Sequence, residues 1–124
     1  MQVDQVIVQL RTPNLERTLR FYVERLGFTL EFRYQDFYAG IRSGAHLIHL
    51  KLVDDPDPSI AWVTAEDHFH LYLTVADVAA CASQLRAAGV PIERDVHETP
   101  WQTRECVIRD DVGHTIYFGQ PLGG

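Results

Sequence analysis

An internal repeat constrains the fold of this chain more than any other sequence feature. In each half, alternating apolar and polar residues lead into a polar cap, a helix-like apolar pattern and a glycine. The caps are Asn14 and Asp77 and the glycines are Gly27 and Gly89, each pair about 60 residues apart. Asn and Asp are favoured at helix N-caps, and Gly is favoured at the left-handed position that ends a helix. The sequence therefore predicts two copies of one strand–helix unit.

Further strand-like segments follow each predicted helix. They lie at 28–34, 37–42 and 46–53 in the first half and at 91–97, 104–109 and 115–119 in the second. An acidic, proline-containing stretch at 54–59 predicts a linker between the halves. We predict one α+β domain at 1–124, with module 1 at 1–53, a linker at 54–66 and module 2 at 67–124. The fold class is two tandem βαβββ modules forming a curved mixed sheet around a cleft.

The strand alternation predicts which side chains face away from the helices. In a strand predicted to begin at His68, Phe69 and Leu71 are expected to face the core. The side chains expected on the opposite sheet face include His49, His68, His70, Tyr72 and Tyr117. A surface that combines histidine and aromatic side chains in this way is typical of a ligand cleft.

Composition excludes several function classes. The net charge of −6 argues against nucleic-acid binding, which needs a basic face, but it permits a cationic ligand. The sequence has no apolar run of about 18 residues, so no membrane span is expected. The N-terminus carries no signal-like segment, so we expect a cytoplasmic protein. Cys81 and Cys106 are expected to be buried free thiols, because each lies in an apolar pattern and cytoplasmic disulfides are rare.

Two motifs resemble the vicinal oxygen chelate superfamily, which contains glyoxalases, extradiol dioxygenases, fosfomycin-resistance enzymes and bleomycin-resistance proteins. Residues 21–28, FYVERLGF, are similar to its FYxxxLGF helix end, and residues 109–118, RDDVGHTIYF, resemble its DPxGxxxxF hairpin. Residues 36–37, 61–63 and 100–105 carry a closer resemblance to the bleomycin-resistance proteins. That resemblance implies a non-catalytic homodimer that sequesters a flat, cationic drug in clefts between its subunits. It also implies a set of aromatic residues lining the drug cleft, namely Phe32, Phe37, Trp62 and Trp101.

The resemblance also bears on metal binding. Metal-dependent members of the superfamily carry ligands at four positions, which correspond here to Ile7, His49, His70 and Tyr117. Isoleucine has no donor atom, and Tyr117 stands where an acidic ligand is usual, whereas catalytic divalent sites usually need three protein ligands. We therefore expect no metal; a metal, if present, would be bound by His49 and His70, with His68 nearby. Ligand contact and simple exposure are the other roles left open for these histidines.

Two function classes follow from these observations. The first is a non-catalytic protein, without a cofactor, that binds an aromatic or cationic small molecule and forms a homodimer. Its candidate ligand-binding residues are Phe32, Phe37, His49, Trp62, His70, Trp101 and Tyr117. The alternative is a metal-dependent lyase, isomerase or dioxygenase with a divalent ion. For Glu105, which lies in an alternating strand, an exposed salt bridge is expected ahead of a contact with a cationic ligand.

Overall fold

A computed structural model describes residues 1–123 of the chain. The chain divides into two units, Met1–Asp57 and Pro58–Gly124. Each unit contains one four-stranded sheet. No helix within residues 1–123 is long and apolar enough to cross a membrane.

The first unit is one βαβββ module. Its elements are β1 (Ile7–Thr12), α1 (Leu15–Arg20), which continues as a π-helical turn (Phe21–Arg25), β2 (Thr29–Tyr34), β3 (Tyr38–Ser43) and β4 (His46–Leu52). The strand order is β1-β4-β3-β2, with β1 parallel to β4 and the other pairs antiparallel. The parallel pairing requires the crossover that α1 provides.

The second unit repeats this topology. Its elements are α2 (Ser59–Ala65), β5 (Leu71–Thr74), α3 (Val78–Ala87), β6 (Arg94–Glu98), β7 (Thr103–Arg109) and β8 (Thr115–Pro121). The strand order is β5-β8-β7-β6, again with a parallel β5–β8 pair. The predicted α+β class and the tandem βαβββ organisation are confirmed.

The predicted caps begin the crossover helices. The Asn14 side chain accepts a hydrogen bond from the Arg17 amide, and the Asp77 side chain accepts one from the Ala80 amide, both at 3.1 Å. Gly27 and Gly89 have φ angles of +78° and +80°, as expected for glycines that end helices. The two crossover helices therefore begin and end with the same kinds of residue in both halves of the chain.

The core includes the aromatic residues at the end of the first crossover helix. Tyr22 is fully buried, with edge-to-face contacts to Phe21 and Phe28 at centroid distances of 5.4 and 5.7 Å. In the strands, Ile48, Leu50, Ile116 and Phe118 are buried. The FY pair of the helix motif is thus a packing feature.

The hairpin motif between β7 and β8 is also structural. Asp110 Oδ1 accepts hydrogen bonds from the amides of Val112, Gly113 and His114, at 2.9–3.0 Å. Asp110 Oδ2 lies 2.7 Å from Nδ1 of His114, and both side chains are buried. Gly113, at φ +112°, occupies a backbone conformation that other residues rarely adopt. This motif therefore fixes the turn that aligns β7 with β8.

Several strand predictions are wrong in the second unit. The strand expected from His68 begins only at Leu71, because the segment after α2 turns back at Asp67 (φ +58°). Phe69 consequently does not face the core and is 49% exposed. The strand expected from Pro91 begins at Arg94; proline has no amide to donate to a ladder. Helix α2 itself lies inside the segment 54–66 that was predicted as a linker.

Candidate functional site

The second unit contains a cavity of about 600 Å³. Its walls come from the turn after α2, from β6, from the loop at 99–101, and from one residue each of β7 and β8. Trp101, on the loop before β7, is 67% exposed, and Phe69, on the turn before β5, is 49% exposed. Two large aromatic side chains that also line a cavity form a surface suited to a flat ligand.

The cavity wall includes a buried carboxylate. Glu105, in the middle of β7, is only 3% exposed. The Tyr72 hydroxyl donates a hydrogen bond to Glu105 Oε2 at 2.7 Å, and the Thr103 hydroxyl donates one to the same atom at 3.0 Å. The expected exposed salt bridge of Glu105 is wrong, since Glu105 is buried and its carboxylate is bound by the Tyr72 and Thr103 hydroxyls instead.

A glycine makes the contact between Tyr72 and Glu105 possible. Tyr72 lies on β5 and Glu105 on β7, so the tyrosine must reach across β8, which runs between them. Gly119 of β8 pairs with both Thr74 and Glu105. A Cβ atom at Gly119 would come within 2.6 Å of Tyr72 Cε1 and even closer to its hydroxyl. Only glycine leaves room for the Tyr72 ring at this place.

The protonation of the tyrosines follows from this environment. Burial, together with the hydrogen bond to Glu105, raises the pKa of Tyr72 to about 12. Burial likewise raises the pKa of Tyr117. Both phenols are therefore protonated near neutral pH, and Tyr72 serves as a hydrogen-bond donor to the carboxylate.

The first unit carries a related cluster, made of Gln9, Phe32, Tyr38 and His49. The Tyr38 hydroxyl lies 3.0 Å from both Gln9 Nε2 and His49 Nδ1. The Phe32 ring stacks on Tyr38 and meets His49 edge-on, at a centroid distance of 5.2 Å. Gly40 leaves room for Phe32, much as Gly119 does for Tyr72. Two predicted ligand-binding residues, Phe32 and His49, thus lie together.

The other predicted ligand-binding residues do not belong to this cluster. Phe37 packs edge-on against Tyr34 at 5.5 Å and is 43% exposed. Trp101 and Tyr117 line the same cavity. Trp62 on α2 is exposed and lies against His68, with ring centroids 5.1 Å apart.

His70 is held by neighbouring backbone and side-chain groups of its own unit. Its Nδ1 accepts a hydrogen bond from the Thr115 amide at 3.1 Å, so its hydrogen resides on Nε2, which lies 3.1 Å from Ser59 Oγ. Its ring also meets the buried His114 edge-on at 4.8 Å. His70 therefore connects α2 to β8, whereas His68 lies at the cavity. His49 and His70 belong to different units, and their convergence stays a prediction.

Sequence reasoning missed the role of Glu105 in the cavity wall and of Tyr72, which donates to it. Tyr72 was placed on the correct strand face but was not selected as a site residue, and Glu105 was weighed mainly as a surface residue. The one available signal was Gly119, a glycine inside a strand, since such glycines often mark a close approach of another group.

Two of the four positions that correspond to metal ligands offer no good donor for a divalent ion. Ile7 offers no donor atom, and the raised pKa of Tyr117 keeps its phenol protonated, which makes it a poor ligand. Both ring nitrogens of His70 have polar partners inside its own unit. Within residues 1–123, no three His, Cys, Asp or Glu side chains form a group that could hold a metal.

A comparison with known proteins shows the family of this chain. A family model of the Glyoxalase/Bleomycin resistance protein/Dioxygenase superfamily matches residues 3–118, and the chain belongs to this superfamily. An uncharacterized protein of Mycolicibacterium smegmatis is 34% identical over 121 residues, which cover 94% of this chain and 92% of that protein.

Two solved structures show how widely the fold is used. A bleomycin-binding protein from bleomycin-producing Streptomyces verticillus, complexed with copper(II)-bleomycin, is similar with a TM-score of 0.75 and 21% identity. That match covers 100% of this chain and 99% of the other. A lactoylglutathione lyase from Agrobacterium tumefaciens is similar with a TM-score of 0.73 and 16% identity, covering 97% of this chain and 96% of the lyase. At these identities the likeness shows the fold alone.

Proposed function

We propose that this protein binds a planar aromatic small molecule and holds it without chemical change, as an antibiotic-sequestering protein does. The observation that carries this proposal is the cavity beside Trp101 and Phe69 in the second unit. A volume of about 600 Å³ is within the usual size of small-molecule sites.

Stacking supplies the main attraction in this proposal. Indole and phenyl rings offer large, rigid contact surfaces, and little conformational entropy is lost when they are covered. Trp101 and Tyr117 contact the ligand in the second unit. Phe32, Phe37 and His49 offer a further aromatic surface in the first unit, and Trp62 with His70 completes the proposed set. The protein acts as a homodimer in this proposal.

The side chains favour binding over catalysis. Ser59 and His70 form a pair that resembles a nucleophile with its base. However, His70 Nδ1 accepts from the Thr115 amide, so Nε2 donates its hydrogen to Ser59 and cannot withdraw a proton from it. Two of the four positions that correspond to metal ligands, Ile7 and Tyr117, offer no good donor for a divalent ion. The proposal therefore assigns no catalytic residue and no cofactor.

Tryptophan fluorescence tests the proposal, because the chain has two tryptophans that can be removed one at a time. The probes are metal-free bleomycin and the flat dye proflavine. We expect quenching in the wild type and in Trp62→Phe, and a large loss of quenching in Trp101→Phe. Mass spectrometry should recover both probes unchanged. Absence of binding by both probes, or a metal-dependent change in a probe, would contradict the proposal.

A further inference from the structure

We propose that Glu105 makes the second-unit cavity selective for aromatic ligands that carry an N–H cation, such as an amidinium or a primary ammonium group. This inference rests on the proposed aromatic binding and adds the chemical class of the ligand. It assigns to Glu105 a role in specificity that the aromatic side chains alone cannot fulfil.

The hydrogen bonds of Glu105 leave one oxygen free for a ligand. Tyr72 and Thr103 both donate to Oε2. Within residues 1–123, Oε1 has no hydrogen-bond partner, although it is not sealed from solvent. Glu105 lines the cavity, so the accessible oxygen is an acceptor available to a molecule inside it.

The carboxylate also lacks a cationic partner. The other two acidic residues of the cavity wall are paired: Asp67 with Arg94 at 3.1 Å, and Glu98 with Arg104 at 3.6 Å. Glu105 forms no salt bridge within the described part of the chain. A buried carboxylate without a cation is costly, and a cationic ligand would compensate it.

The carboxylate is held in a fixed orientation. Thr99 and Thr103 hydroxyls lie 2.7 Å apart, and Thr103 in turn donates to Glu105. The Tyr72 hydroxyl donates to the same carboxylate oxygen. This arrangement orients Oε1 before any ligand arrives, and pre-organised groups bind more tightly because less order must be created on binding.

The surrounding rings favour the same ligand class. Phe69 lies 5.2 Å from Tyr117 and 5.6 Å from Tyr72, measured between ring centroids. Aromatic faces attract cations, and the attraction grows as the cation loses water. A flat ring bearing an N–H cation therefore meets stacking partners, electron-rich faces and a charge-assisted acceptor together.

Benzamidine and benzamide provide a matched pair of probes, because they have the same shape and differ in charge. We expect wild-type protein to bind benzamidine at least about tenfold more tightly than benzamide in calorimetric titration, as for a hydrogen bond to a charged group. Glu105→Gln should abolish this preference, because the amide that replaces the carboxylate carries no charge. Glu98→Gln is the control, since it removes the same charge from an exposed and paired position on the same wall.

The outcomes separate this inference from the proposed function. Equal affinities of the wild type for both probes would overturn the role of Glu105 while leaving aromatic binding intact. A preference that persists in folded Glu105→Gln, or that is lost equally in Glu98→Gln, would overturn it as well. Failure of both probes to bind would overturn the inference together with aromatic binding at this cavity. The comparison of benzamidine and benzamide affinities in the wild type needs no variant, so it tests the inference even if Glu105→Gln does not fold.

Discussion

Replacing Gly119 with alanine tests the arrangement on which the candidate site depends. The added methyl group would overlap the ring of Tyr72, which crosses β8 at this position. Either Tyr72 leaves its place and loses the 2.7 Å hydrogen bond to Glu105, or the strands shift to accommodate both groups. In both cases the buried carboxylate loses part of its hydrogen bonding.

The expected magnitude follows from three contributions. Overpacking costs about 1–3 kcal/mol, and the hydrogen bond to a charged group contributes about 1.5–3 kcal/mol. These two costs are not additive, because Tyr72 can relieve the overpacking by moving away, and it then loses its hydrogen bond to Glu105. Alanine in a strand recovers about 0.5–1 kcal/mol relative to glycine. We therefore expect the free energy of unfolding to fall by about 1–2 kcal/mol, a decrease in Tm of about 4–8 °C for a chain of this size.

Two measurements check this prediction. Thermal unfolding gives the stability, and ultraviolet titration of tyrosinate gives the pKa of Tyr72, which should fall from about 12 toward its ordinary value of 10.0. Because the folded pKa is raised, Tyr72 stabilises the wild type fully below pH 10, and this contribution is lost as the pH rises toward 12. The Gly119→Ala variant should therefore lose less stability than the wild type as the pH rises from 10 toward 12.

Gly123→Ala is the matched control, since no atom lies within 4 Å of a Cβ at Gly123. It should leave both Tm and the tyrosine titration unchanged. If Gly119→Ala behaves like Gly123→Ala in both assays, then Tyr72 does not cross β8 at Gly119, and the proposed support of Glu105 is wrong.

Three further predictions concern other parts of the protein. Trp101→Ala should weaken proflavine binding by about 1–3 kcal/mol, as for stacking on aromatic platforms, while the same change at Trp62 should have a smaller effect; equal losses would place the main contact elsewhere. Cys106 should react with thiol reagents at pH 8 only after unfolding, because burial raises its pKa to about 11; rapid reaction in folded Cys81→Ser would contradict this. Light scattering at micromolar concentration should give about 28 kDa, twice the 14.2 kDa of one chain, and a stable monomer would exclude the proposed homodimer.

Sequence patterns were sufficient for the local structure. The caps at Asn14 and Asp77 and the helix-ending glycines act on residues within a few positions of themselves, so their effect is visible in the sequence. The same holds for the alternation that buries Ile48 and Leu50, which is fixed by the pleat of a single strand. The tandem modules follow from these local signals, since each was repeated in the same order.

The tertiary structure decided the chemistry of the cavity. Glu105 is buried in a strand with neighbours on both sides, and the side chain of Tyr72, which is distant along the chain, reaches its carboxylate across β8. Phe69 joins the cavity because helix α2 ends in a turn at Asp67, which interrupts the strand pattern before Leu71. An alternating pattern specifies which side of a strand a residue occupies, but not whether that side is covered. Cross-strand order and turn geometry settle that question, and they depend on contacts between remote segments.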